Sequence, residues 1–220
     1  MEINHNNVLV IFSGGQDSTT CLFWAKKEFA NIEAITFDYG QRHKIELEAA
    51  KNITSKANIP HKIIKLDALQ MSANALTTAS EITTNPNNGL PTTFVPGRNI
   101  IFVTIAAAYA YEEKIPNLVL GVSQVDYSGY PDCRQDTISS LENTLRLGME
   151  FPFKVHTPLI KESKKDTILI AQALGALPYL AYSHTCYKGQ KPPCGDCPAC
   201  KLRAKGFEEA GISDPLLFPF

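Results

Sequence analysis

Residues Val8 to Phe12 form an unbroken apolar run, VLVIF, that breaks into the bare turn Ser13-Gly14-Gly15. Helical spacing then follows from Asp17 to Phe29, with Leu22, Phe23 and Ala25 on one side. A short run that is apolar at every position suits a strand covered on both faces, as in the interior of a parallel sheet. The alternation continues: Glu33 to Phe37 reads as a strand, Lys44 to Ala57 as a helix and Lys62 to Leu66 as a strand, joined by short polar segments. Further along, a helix is expected from about Asn99 to Glu113, a strand over Leu118 to Val122, and helices over about Gln135 to Leu147 and Lys161 to Leu174. Strands and helices in alternation imply an α/β fold, a parallel sheet packed between helices.

Two stretches depart from that rhythm. Residues 67 to 97 are poor in charge and rich in Thr, Asn and Pro, and are expected to make a long lid-like excursion. After Pro178 the composition changes to HTCYKGQKPPCGDCPACKLRAKG. The chain is therefore divided into a core over residues 1–180 and a small C-terminal subdomain over 181–220. A net charge of -1 in 220 residues gives no global field for nucleic acid or an anionic membrane, so an anionic ligand needs a local site. The apolar run near the start is too short for a signal or spanning segment, and a cytoplasmic protein is expected.

The glycine turn carries the first chemistry. A strand running into Gly14-Gly15 at a helix N-terminus aims several backbone N–H groups at one point and lets a ligand approach the main chain, which suits phosphate. It is not a Walker A loop, because Gln16-Asp17-Ser18 stands where that pattern needs Gly-Lys-Ser/Thr. A carboxylate beside phosphates needs a cation between them, so Asp17 points to Mg²⁺ bridging to a polyphosphate. A simpler role remains open, in which Ser13 or Asp17 only caps the helix.

The cysteines carry the second. Cys186, Cys194, Cys197 and Cys200 can place four thiolates around one tetrahedral ion with no open position, a structural Zn²⁺ site that would fold the tail. A competing use is an iron–sulfur cluster or persulfide transfer. Cys21 and Cys133 stand apart from this group.

The residues Phe12, Ser13, Gly14, Gly15, Gln16, Asp17, Ser18 and Thr19 resemble the pyrophosphate loop of the N-type ATP pyrophosphatases, a superfamily with a Rossmann-like fold. Within it, FDYGQRH (Phe37 to His43), FVPGRN (Phe94 to Asn99), SGYPDCR (Ser128 to Arg134) and the cysteine cluster are together similar to the 7-cyano-7-deazaguanine synthase family. That resemblance implies ATP, 7-carboxy-7-deazaguanine and ammonia as substrates, AMP and pyrophosphate release, no direct nucleic acid, no membrane, and a homodimer. It implies two activations, first of the acid and then of the amide. It also selects Lys164 at the head of a helix as the cation for departing pyrophosphate. Asp126 or Asp132 would accept the paired N–H donors of a guanine-like face. Arg98 and Arg134 can match a carboxylate or phosphate, and Tyr39 and His43 can line the site. Alternatives are a transfer RNA thiolation enzyme, a deazaguanine-attaching defence enzyme and a non-catalytic nucleotide-binding module.

Overall fold

The computed structural model describes residues 5–41, 44–67, 83, 89–123 and 130–217. Their element order is β1 (Asn7–Ile11), α1 (Gln16–Glu28), β2 (Asn31–Asp38), α2 (Ile45–Ala57), β3 (His61–Lys65), α3 (Arg98–Glu112), β4 (Asn117–Leu120), α4 (Gln135–Gly148), β5 (Lys154–His156), α5 (Lys164–Ala173), α6 (Leu177–Leu180) and α7 (Pro198–Ala210). The strands make one parallel sheet in the order β3-β2-β1-β4-β5. The parallel sheet with helices on both faces expected from the alternation is therefore present.

β1 shows why the run Val8 to Phe12 had to be apolar throughout. Leu9 and Ile11 enter a core with Val103 and Ala106 of α3 and Ile138 of α4. Val8, Val10 and Phe12 enter the opposite core, with Leu22 of α1, Ile53 of α2, Ile168 of α5 and Phe207 of α7. Each such side chain removed from water contributes about 1.5–3 kcal/mol, and a polar residue at either parity would face a packed layer. α3 lies close to the sheet because Ala106, Ala107 and Ala110 are small where it touches.

The chain moves outward from β1 to β2 and β3, then crosses back to place β4 on the other side of β1. That reversal opens a crevice at the carboxyl ends of β1 and β4, where open α/β sheets hold ligands. Phe12 N–H bonds Ile35 O at 2.8 Å, so the glycine turn leaves the sheet at a fixed height.

β5, α7 and the single-turn α6 were not anticipated. β5 is three residues at the sheet edge beside β4, within FPFKVH, too short to show a period. α7 packs on α5 at its Gly206, where an added Cβ would stand 2.8 Å from Lys164 Cβ and 3.0 Å from Ile168 Cδ1. The expected helix over Lys161 to Leu174 begins at Lys164, because Ser163 caps it and accepts from Asp166 N–H. Lys161 lies in the preceding turn. The expected lid falls mostly outside the described residues.

Candidate active site

The turn after β1 is built for close approach. Gly14 has φ +80°, and a Cβ there would meet Ala50 N at 2.6 Å and Glu46 O at 2.8 Å, so α2 closes one wall directly on the main chain. Across the crevice, a Cβ on Gly121 after β4 would lie 2.9 Å from Ser18 Cα. Glycine is required at both positions, at the first by conformation and space and at the second by space alone. α1 starts at Gly15 with no side-chain cap, which leaves first-turn N–H groups to a ligand. Thr19 and Ser18 hydroxyls donate to Gly15 O at 2.8 and 3.1 Å and fix the carbonyl side of the bend. Among the described residues, both amide atoms of buried Gln16 and Oδ1 of Asp17 have no hydrogen-bond partner.

Lys164, at the head of α5, reaches Asp17 Oδ2 with a 2.5 Å hydrogen bond, and both side chains are largely shielded from water. A cation and a carboxylate thus meet beside the uncapped helix end. The pair can neutralise itself when the turn is empty and separate when phosphate and a metal ion arrive.

Arg98 opens α3, after Gly97 with φ +68°. Burial works against its charge, but Tyr39, Tyr130 and Asp132 around it, with a hydrogen bond to Tyr39, raise its pKa overall. Tyr130 shares a 2.6 Å hydrogen bond with Thr93 and another with Tyr187. Glu46 stands in the first turn of α2, within the field of Arg98 but in no ion pair with it among the described residues. Burial pushes the Glu46 carboxyl up to about 7, with Arg98 partly opposing the shift.

A strap from Leu180 to Tyr187 backs the turn. His184 N–H donates to Gly14 O at 3.0 Å, and His184 Nε2 lies 3.0 Å from Cys186 O. Arg203 of α7 bolts the strap from behind: it donates to Ser183 Oγ at 2.8 Å, Leu180 O at 3.2 Å, and both oxygens of Asp214 at 2.6 and 2.7 Å. Arg203 and Asp214 are both buried.

The strap leads into the cysteine cluster, where the sulfurs of Cys186, Cys194, Cys197 and Cys200 all lie within 4.8 Å of one another. A tetrahedral zinc with sulfurs at roughly 2.3 Å holds them roughly 3.8 Å apart. Cys194 Sγ and Cys200 Sγ are 3.8 Å apart. Backbone N–H groups of Cys194 and Cys197 approach Cys186 Sγ at 3.5 Å and Cys194 Sγ at 3.4 Å, as thiolate ligands require. The residues fit a structural zinc ion, and four thiolates leave it no open position.

The structure thus gathers Ser13 to Thr19 and Lys164 at one crevice, with Phe12 below them in the core, while Tyr39 and Arg98 are hydrogen-bonded to each other with Glu46 of α2 in their field. Asp132 is 4% exposed, and its Oδ2 accepts from Asn99 N–H at 2.9 Å, so it caps α3. Arg134 is exposed at the head of α4. His43 and Asp126 lie outside the described residues. Glu46, Tyr130, His184 and Tyr187 were not singled out by sequence. Glu46 reads as an ordinary acid in a helix first turn, and the other three act through tertiary contacts that no local spacing announces.

A family model described as queuosine biosynthesis protein QueC matches residues 7–211. A 7-cyano-7-deazaguanine synthase of Laribacter hongkongensis is 53% identical over 218 residues, 96% of this chain and 94% of that one. Those of Chromobacterium violaceum and Clostridium novyi are 51% and 49% identical, covering 98% and 94% of this chain and 95% and 96% of their own. Among solved structures, a predicted subunit of a tRNA methyltransferase from Methanocaldococcus jannaschii aligns with a TM-score of 0.50 at 20% identity. That alignment covers 76% of this chain and 74% of that one. At that identity the likeness is one of fold.

Proposed function

The chain belongs to the family of queuosine biosynthesis protein QueC, and on that premise we propose that it converts 7-carboxy-7-deazaguanine and ammonia to 7-cyano-7-deazaguanine at the expense of ATP. It is a carbon–nitrogen ligase, and ATP, the deazaguanine acid and ammonia are its substrates. The observation that carries this reading is the meeting of Asp17 and Lys164 at the uncapped head of α1.

In this proposal the N–H groups of Gly15 to Ser18 hold the β and γ phosphates. Asp17 would hold Mg²⁺ with its unpartnered Oδ1, and the ion would supply the positive charge that offsets theirs. Lys164 leaves Asp17 for the departing pyrophosphate. Arg98, kept cationic by its phenol and carboxylate neighbours, orients the substrate carboxylate toward the α phosphorus. Ammonia displaces the first AMP to give the amide, and the amide oxygen takes a second AMP and leaves with it. Asp126 keeps the role of reading the guanine face, since Asp132 caps α3. His43 and Tyr39 line the site, and Arg134 meets the ligand from the rim. A thiolation reading is less well supported, because four thiolates on one ion leave no sulfur to transfer. Reduced thiolates support a cytoplasmic location. The homodimer belongs to the same reading, to be tested by native mass measurement.

The test is mass spectrometry of the product formed from the carboxylated base, ammonium and MgATP, with AMP counted per nitrile. The acid should release two AMP per nitrile and a synthetic amide, without ammonia, only one. ADP and orthophosphate as products, or an inert amide, would overturn it.

A further inference from the structure

Nitrile formation is an elimination, and it needs a base at the reacting carbon. After the amide oxygen is adenylated, one proton leaves the cationic nitrogen to give a neutral imidate. The remaining N–H bond then breaks, its electron pair completes the carbon–nitrogen triple bond, and the carbon–oxygen bond breaks with AMP keeping that pair. The groups assigned to the phosphates, backbone N–H donors and a protonated lysine, cannot take these protons.

Apart from Asp17, whose open oxygen is assigned above to Mg²⁺, one acidic group at the site makes no hydrogen bond or ion pair with another described residue. Lys164 is paired with Asp17. Asp132 accepts from Asn99 N–H, and His184 Nε2 is engaged with Cys186 O. Tyr39 is bound to Arg98, and Tyr130 is bound to Thr93 and Tyr187. Glu46 differs from all of them. Its backbone carbonyl lies against the pyrophosphate turn, 2.8 Å from where a Cβ on Gly14 would stand, and its carboxyl lies within the field of Arg98. Its carboxylate makes no hydrogen bond or ion pair with another described residue, and the residue is half-buried. Among the described residues, the charged and titratable groups facing it are Arg98 from α3, Tyr39 just past β2, and Tyr187 from the cysteine segment.

We propose that Glu46 is the catalytic base of the second half-reaction, taking the nitrogen-bound protons of the adenylated amide and so driving AMP out; this rests on the ligase reading given above. Its position suits proton removal there, because the turn holds the pyrophosphate end of ATP and Arg98 holds the substrate. With its backbone against the turn and its carboxyl in the field of Arg98, Glu46 belongs to both of the groups proposed to hold the reactants. Its carboxyl titrates at about 7, so near neutral pH it is both available as a base and able to release the proton afterwards. As a hydrogen-bonding reader of the base it would instead act on binding alone.

The experiment uses the synthetic amide with saturating MgATP and no ammonia, so that ammonium titration does not enter the pH profile. Wild-type kcat should rise with pH through a limb centred at about 7. Glu46→Gln should lower kcat by about 100-fold or more, leave KM for the amide and ATP within about threefold, and abolish that limb. Glu46→Asp should keep the limb at a lower plateau, which also covers the case in which the Gln variant fails to fold. A raised KM with kcat and the limb retained would make Glu46 a binding residue and overturn the proposal. A wild-type enzyme that makes no nitrile from the amide would instead overturn the underlying ligase reading.

Discussion

Lys164 Nζ lies 2.5 Å from Asp17 Oδ2, joining the head of α5 to the head of α1 across the mouth of the glycine turn. The two side chains are 12% and 22% exposed, so either one alone would be a poorly hydrated charge. Asp17→Asn should therefore cost about 1–3 kcal/mol of stability as well as most of the turnover. Asp17→Asn combined with Lys164→Met should recover much of the stability and none of the turnover. Urea unfolding of the four-member cycle beside AMP release checks this, and simple additivity of the two stability losses would count against a pairwise role.

Gly14→Ala is expected to abolish nucleotide binding. The new methyl would sit 2.6 Å from Ala50 N and 2.8 Å from Glu46 O, both backbone atoms, at a φ that L side chains rarely adopt. Calorimetric titration with a non-hydrolysable ATP analogue should show binding weakened at least tenfold. Gly121→Ala should show a smaller loss, because its Cβ meets the Ser18 backbone at 2.9 Å but at a φ open to any residue.

Zinc should be present at about one ion per chain, and Cys194→Ser or Cys197→Ser should release it. The loss should reach the nucleotide, because the cluster's first ligand is two residues from His184, whose N–H holds Gly14 O. Metal analysis alongside ATP titration checks the link. Metal loss with unchanged nucleotide affinity would confine the ion to the tail.

The Arg203 and Asp214 pair has little access to water, at 5% and 8% side-chain exposure. Arg203→Met leaves Asp214 without its partner and should destabilise the fold by about 3–5 kcal/mol. Adding Asp214→Leu should recover part of that, read from denaturant midpoints.

His61 is held between Thr36 Oγ1 at 2.7 Å and Thr54 Oγ1 at 3.1 Å. Burial, with Lys51 nearby, lowers its pKa to about 4. A histidine kept neutral in the fold contributes stability that is complete above about 6.5 and is lost as pH falls toward about 4. The loss should amount to at most about 3 kcal/mol. His61→Gln should flatten stability over that window in chemical denaturation at stepped pH.

The sequence made β1, the glycine turn and the cysteine cluster readable for a common reason: each is a local pattern whose spacing already dictates geometry. An apolar run at every position, two adjacent glycines and thiols two residues apart need no distant partner to be interpreted. Asp132 could not be read in that way, since its cap on Asn99 comes from a separate element. Glu46 was hidden for a similar reason, because its surroundings come from α3, the residue just past β2 and the cysteine segment. β5 was too short to show alternation, and the apolar side of α7 was obscured by the zinc-ligand positions at its cap, Cys197, and in its first turn, Cys200, and by the charges that follow them.

The bond from His184 N–H to Gly14 O also has a meaning for biogenesis. Parallel sheets already demand contacts between distant parts of the chain, and such closures are slow. Here the residue that steadies the nucleotide turn follows it by most of the chain's length. During synthesis β1 and α1 emerge early, yet their glycine turn lacks its brace until the strap has left the ribosome. A nascent chain ending at α5 would therefore hold the phosphate motif without the support that shapes it. The order of synthesis would thus keep ATP from being engaged before the rest of the site exists.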